Sequence, residues 1–269
     1  MRPSAVDAGV RNFDEPSLII TPAGAARDTP LAVFLPGTGG RPQNAIALLR
    51  TVAQQGYRVI GLEYDDEPAV MQVCPRSPDP DCSAKFRQMR ADGTGPGAPG
   101  IANPPAESIE RRLVALLRGL ERTAPDEGWS GYLDGDRPRW DRIVFSGLSQ
   151  GAGMAAYIAK KHRVRRVVLF SSPWDFTQPG RKLAPWIAGA SATPPSRWYA
   201  EYHKREATAD LLAKSYEALG IPPGHVLVFN RDLPPGAGNA NPYHGSTIRD
   251  PDYAPDWRAL YGKASDPAD

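Results

Sequence analysis

Two cysteines and four histidines are all the thiol and imidazole this chain of 269 residues holds. A structural zinc centre needs three or four such ligands at close spacing, and no histidine lies near Cys74 or Cys82, so no metal site is expected. No run of 18 or more apolar residues occurs, which excludes a helical membrane span. An excess of one charge sign is missing as well. The 32 Lys and Arg residues are matched by 30 Asp and Glu, leaving +2, and they are scattered. Nothing resembles the basic stripe that a phosphate backbone requires, so nucleic acid is not an expected partner. No Gly-X-Gly-X-X-Gly opens a helix after the first strand, and no Gly-X4-Gly-Lys-Ser/Thr occurs, so no nucleotide or other cofactor is implied. The absence of a repeat at 20 to 50 residues excludes solenoids and propellers.

Proline and glycine, by contrast, are plentiful at 29 and 26 residues. Proline fixes φ and removes a donor, so it belongs in loops, turns and first helical turns. Between these loops, apolar segments recur. Leu31–Leu35, Tyr57–Tyr64, Arg142–Ser146, Arg165–Phe170, Trp198–Tyr202 and Val226–Phe229 read as strands. Helical patterns lie between them at 43–55, from Asn103-Pro104 onward, at 150–161 and at 207–219. Asn103 is the expected cap of the second of these, with Pro104 at its first position. Its packed face is Ile109, Leu113, Leu116, Leu117 and Leu120. Strand-helix alternation of this kind predicts one α/β domain over 1–269, a doubly wound, mostly parallel sheet with helices on both faces. Two long Pro-rich stretches, 66–105 and 174–196, show no clear period and are read as cap loops over the strand ends.

The cysteines lie in the first of those stretches, Val73-Cys74-Pro75-Arg76-Ser77-Pro78-Asp79-Pro80-Asp81-Cys82. The spacing is too wide for a Cys-X-X-Cys redox pair. A structural disulfide, contributing roughly 2.5 kcal/mol in the chain-entropy model, is the expectation, against free thiols in a cytoplasmic protein. A lasting disulfide implies a secreted or periplasmic protein, yet residues 1–14 lack a basic segment followed by an apolar one. A mature chain whose export signal is not part of this sequence reconciles the two.

The chemistry concentrates in Gly147-Leu148-Ser149-Gln150-Gly151, between a strand and a helix rich in small residues. Gly-X-Ser-X-Gly in that setting makes a turn so sharp that only glycine fits two positions either side of the serine. Ser149 then stands clear of the sheet at a helix N-terminus, where negative charge is favoured. These residues resemble the α/β-hydrolase superfamily from about Leu31 to Tyr261. The Cys…Cys loop, Trp140, Gly-Leu-Ser-Gln-Gly and Asn241-Pro242-Tyr243-His244-Gly245 are similar, more narrowly, to a group of bacterial exported serine hydrolases of poorly defined substrate.

The resemblance implies a Ser-acid-His triad in that chain order and an oxyanion hole of backbone N–H groups. Ser149 is then the nucleophile. His244, in a loop after the last strand, is the base, in preference to His162, His203 and His225. The acid is expected after the preceding strand, at Glu206, with Asp175 as the alternative and Asp210 and Asp232 as further candidates. One oxyanion donor belongs in Leu35-Pro36-Gly37-Thr38-Gly39-Gly40, at Thr38 first and Gly39 second; the other is the N–H of Gln150. Trp174, Phe176, Trp186, Met71 and Tyr243 are candidates for an apolar pocket. The expected activity is hydrolysis of a small-molecule or polymeric carboxylic ester through an acyl-enzyme. Peptidase or amidase, thioesterase, acyltransferase and a non-catalytic binding protein are the other readings this scaffold allows. Oligomeric state has no signature in the sequence.

Overall fold

The structure, a computed structural model, describes residues 1–178, 180–233 and 241–267. Its main sheet has seven strands: β1 (Leu18–Ile20), β2 (Leu31–Leu35), β3 (Arg58–Gly61), β4 (Ile143–Leu148), β5 (Arg166–Phe170), β6 (Trp198–His203) and β7 (Val226–Phe229). They lie in the order β1-β3-β2-β4-β5-β6-β7. All neighbours are parallel except β1, which runs antiparallel to β3 at the edge. β1 has no counterpart among the expected strands; three residues at an edge are too few to show a period.

Both faces of the sheet are buried, so the central strands read as unbroken apolar runs rather than alternating ones. In β2, Leu31, Val33 and Leu35 face one core together with helices α3 (Ile109–Thr123) and α4 (Gln150–Lys161). Ala32 and Phe34 face the other, which packs against α1 (Ile46–Gln54) and α7 (Ala254–Tyr261). Ile109, Leu113, Leu116, Leu117 and Leu120 are all buried on the first face.

The N-terminus of α3 departs from the sequence expectation. Ser108 is its cap, with its Oγ accepting the Arg111 N–H at 3.3 Å. Pro104 and Pro105 hold the preceding backbone out of the helix, and Asn103 donates instead to Asp65 at 2.7 Å.

The stretch 66–105 is also more regular than its composition suggests. After a short helical turn, Val70–Val73, comes α2 (Cys82–Asp92). Its buried face includes Arg87 and Arg90 beside Phe86 and Ala91. Because arginines occupy core positions, the hydrophobic period that marks a helix is absent. The Cys74–Cys82 disulfide joins the Val70–Val73 segment to the start of α2. The second long stretch, 174–196, holds a hairpin of Phe176–Thr177 with Lys182–Leu183 and a helical turn, Pro185–Ala188. Among the described residues, no helix is long and apolar enough to cross a membrane, and no group of three His, Cys, Asp or Glu could hold a metal ion.

Candidate active site

Ser149 lies between the last residue of β4 and the first of α4, with φ +54° and ψ −119°. That backbone conformation is costly for a side-chain-bearing residue and persists only where its surroundings enforce it. Its N–H donates to Phe170 O at 2.9 Å, and its C=O accepts from Gly153 at 3.0 Å. The two flanking glycines are sterically required. A Cβ on Gly147 would lie 2.5 Å from Gly151 C, and one on Gly151 would lie 2.1 Å from Leu35 O. The strand-to-helix turn therefore packs directly against the end of β2.

The loop leaving β2 lies against this elbow. Gly37 is so close that a Cβ there would sit 3.2 Å from the Ser149 Cβ. Tyr64, buried, donates its hydroxyl to Pro36 O at 2.9 Å. The Gly39 N–H goes to Asp66 Oδ1 at 3.2 Å and the Gly40 N–H to Gly37 O at 2.8 Å. Among the described residues, the N–H of Thr38 has no acceptor, and neither has that of Gln150 at the start of α4. Of the two loop amides proposed from sequence, Gly39 is thus committed elsewhere and Thr38 is free.

His244 sits in α6 (Pro242–Ser246), beyond β7. Its Nδ1 is 2.7 Å from Glu206 Oε2. Glu206, in the turn after β6, has a fully buried side chain. Its other oxygen accepts from the Ser171 hydroxyl at 2.5 Å and the His203 N–H at 3.0 Å. A carboxylate at this position accepts from an Nδ1–H, the tautomer in which Nε2 is the acceptor nitrogen of the ring. Ser149, Thr38 and His244 all line one cleft of about 210 Å³, whose other walls include Arg41, Asn44 and Arg249.

The remaining histidines have other partners. His162 stacks on Trp140 and lies 3.3 Å from Glu110. His225 stacks on Tyr199, with Nδ1 3.0 Å from Trp198 O. His203 accepts the Arg205 N–H on Nδ1 and donates from Nε2 to Arg231 O. Burial lowers its pKa, so it stays neutral. Among the acid candidates, Asp175 is bonded to residues other than His244. It forms a two-pronged ion pair with Arg87 at 2.6 and 2.7 Å and accepts from Trp186 Nε1 at 3.0 Å. Asp232 pairs with Arg205, and Asp210 is exposed in the first turn of α5 (Ala209–Ala218).

Of the proposed aromatic and apolar lining, Met71 and Trp174 border a second, smaller cavity at Ser149. Phe176 stacks on Trp174, Trp186 serves Asp175, and Tyr243 stacks on His203.

Three buried carboxylates carry no signal in the sequence. Asp66 supports the β2 loop, and burial raises its pKa to about 7. Glu63 is raised to about 7, first by burial and then by Asp66. Glu201, fully buried on β6, is pushed well above the carboxylate range, first by burial and then by Glu206. Ala200 and Glu201 are buried side by side in β6, so no alternation singles out residue 201, and nothing in its neighbours marks it as more than a strand glutamate.

No protein-family model and no curated protein sequence matches the chain. Solved structures do. Esterase 2 of Thermogutta terrifontis, phosphoramylated by tabun, superposes with TM-score 0.50 at 13% identity, covering 96% of this chain and 94% of that one. An alpha-beta serine hydrolase homologue from Coxiella burnetii gives 0.47 at 15% identity, over 91% and 88%. A phospholipase/carboxylesterase from Dyadobacter fermentans gives 0.40 at 13%, over 89% and 98%. The parallel sheet with its antiparallel edge, the helices on both faces and the first of these superpositions agree: the chain adopts the α/β-hydrolase fold.

Proposed function

We propose that this protein is a cofactor-independent serine hydrolase of carboxylic esters, with Ser149 as nucleophile, His244 as general base and Glu206 as the acid that orients it. The observation that carries the reading is the 2.7 Å contact of a buried Glu206 with His244, beside a cleft that His244 shares with a strained, partly buried serine. His244 Nε2 takes the Ser149 proton as Oγ attacks the ester carbonyl. The developing oxyanion is held by the N–H groups of Thr38 and Gln150, at the N-terminus of α4. His244 then protonates the departing alcohol. In the second half, water attacks the acyl-enzyme with the same imidazole as base. Glu206 stabilises the imidazolium in both halves.

The chain works as one domain in this reading, with the Cys74–Cys82 segment and residues 174–196 as cap elements over the strand ends. The disulfide supports an oxidising, secreted or periplasmic setting. Ester rather than amide or thioester cleavage rests on analogy with the esterases of the same fold.

Intact mass after incubation with a fluorophosphonate tests the proposal. One adduct is expected on the wild type, none on Ser149→Ala and slowed labelling on His244→Ala. An unlabelled wild type that also turns over no p-nitrophenyl ester overturns it and leaves a binding protein on this scaffold. A parallel panel of ester, thioester and amide substrates ranks the three bond types.

A further inference from the structure

Two cavities meet at Ser149, and they differ in size and in which of them holds His244. The larger, about 210 Å³, contains His244. The smaller, about 50 Å³, lies beside Gln150 and does not. The chemistry orients an ester between them. The imidazole that takes the serine proton must hand it to the leaving oxygen, so the alcohol part lies on the His244 side. The acyl chain therefore enters the smaller cavity.

We propose, on the footing of the serine hydrolase reading above, that the enzyme is selective for short acyl groups of the acetyl to butanoyl class. At 10–15 Å³ for each water-sized group, the small cavity admits only about four such groups. Its walls are built to stay in place. Val70 and Met71 come from the Val70–Val73 turn, whose first N–H donates to Gln150 Oε1 at 3.3 Å. The next residue, Cys74, is bonded to Cys82 at the start of α2. Trp174 lies in the opposite stretch and stacks on Phe176. Arg87 and Asp175 also belong to the lining, with side chains only 1% and 2% exposed and two hydrogen bonds between them. The guanidinium is itself wedged against α4, where a Cβ on Gly153 would come within 2.3 Å of Nη2. A longer alkyl chain must break this ion pair or turn out into water, and either forfeits the binding energy of its added methylenes.

The test is the chain-length profile of p-nitrophenyl acetate, butanoate, hexanoate and octanoate, read as kcat/KM. A fall of about 10-fold or more is expected from butanoate to octanoate, the size of effect that misfit methylenes produce in an apolar pocket. Met71→Ala opens the wall and is expected to raise the octanoate-to-acetate ratio about 5-fold or more, within the same range. Trp174→Ala opens the cavity from the other side and serves as the second variant. A flat or rising wild-type profile, or a ratio unmoved in both variants, overturns the short-acyl inference while fluorophosphonate labelling of Ser149 keeps the hydrolase reading intact. No adduct and no turnover at any chain length overturns both.

Discussion

Replacing Asp175 with alanine separates two roles that one carboxylate could have had. In the structure it is the partner of Arg87, both side chains being almost wholly out of water, and it also accepts from Trp186 Nε1. Asp175→Ala strands a buried guanidinium, which costs about 3–5 kcal/mol. The orphaned Trp186 N–H adds roughly 1 kcal/mol or more. Against a total stability of about 5–15 kcal/mol, such a loss is large. With a urea m-value of about 3 kcal/mol/M, the midpoint drops by more than about 1 M. The assay is a urea titration followed by far-ultraviolet circular dichroism, with fluorophosphonate labelling measured below the transition. The double variant Arg87→Leu/Asp175→Leu removes both charges and is expected to recover most of the midpoint, since an apolar pair of similar volume needs no solvation. A triad acid behaves in the opposite way. Its loss lowers kcat by on the order of 10⁴-fold while the fold stays intact. A midpoint within about 0.3 M of wild type, less than about 1 kcal/mol at that m-value, together with collapsed labelling, would refute the ion-pair reasoning and return the acid role to Asp175.

Three further outcomes are expected. Glu206→Gln keeps a buried acceptor for Ser171 and His203 but loses the charge beside His244, so kcat falls by on the order of 10²–10⁴-fold while the melting temperature changes little; steady-state ester kinetics and calorimetry check the split. Gly151→Ala forces a Cβ to within 2.1 Å of Leu35 O and 2.5 Å of Pro36 O, so the elbow cannot form and soluble, labelled protein is lost from expression trials. Asp66 and Glu63 are raised to about 7 by burial, so the native state holds protons that the unfolded chain releases near pH 4. The stability they contribute is present below about pH 4 and is lost as pH rises to about 7, at up to 1.4 kcal/mol per pH unit per group. Asp66→Asn, which keeps an acceptor for Gly39, therefore gains on the wild type by on the order of 1–4 kcal/mol between pH 5 and pH 8 in urea titrations; equal slopes in the two proteins would remove this assignment.

Much of the architecture was legible in the chain because its signals are local. A strand buried on both faces is an apolar run whatever packs on it, so Leu31–Leu35 and Arg165–Phe170 stood out. The glycines at 147 and 151 bracket Ser149 because a turn of that sharpness leaves no room for a Cβ, a constraint carried by five consecutive residues. Local reading failed where the folded surroundings replaced the usual pattern. The helix Cys82–Asp92 escaped because arginines fill part of its buried face, and Arg87 is tolerable there only because Asp175, 88 residues later, meets it. Asn103 looked like a helix cap, but two prolines held the helix back to Ser108.

The strand-serine-helix turn and the chain order of Ser149, Glu206 and His244 were thus legible in the sequence itself. Which carboxylate meets His244 was decided by tertiary structure. Any of several carboxylates satisfied the chemistry on paper, and Glu206 lies 38 positions from His244. Strand order is what brings the turn after β6 to the helix after β7, while it carries Asp175 away to Arg87. Likewise, Thr38 rather than Gly39 has the free amide only because Asp66, arriving from beyond β3, accepts the Gly39 N–H. Contacts between residues far apart in the chain leave no periodicity behind, so only the assembled fold could choose among them.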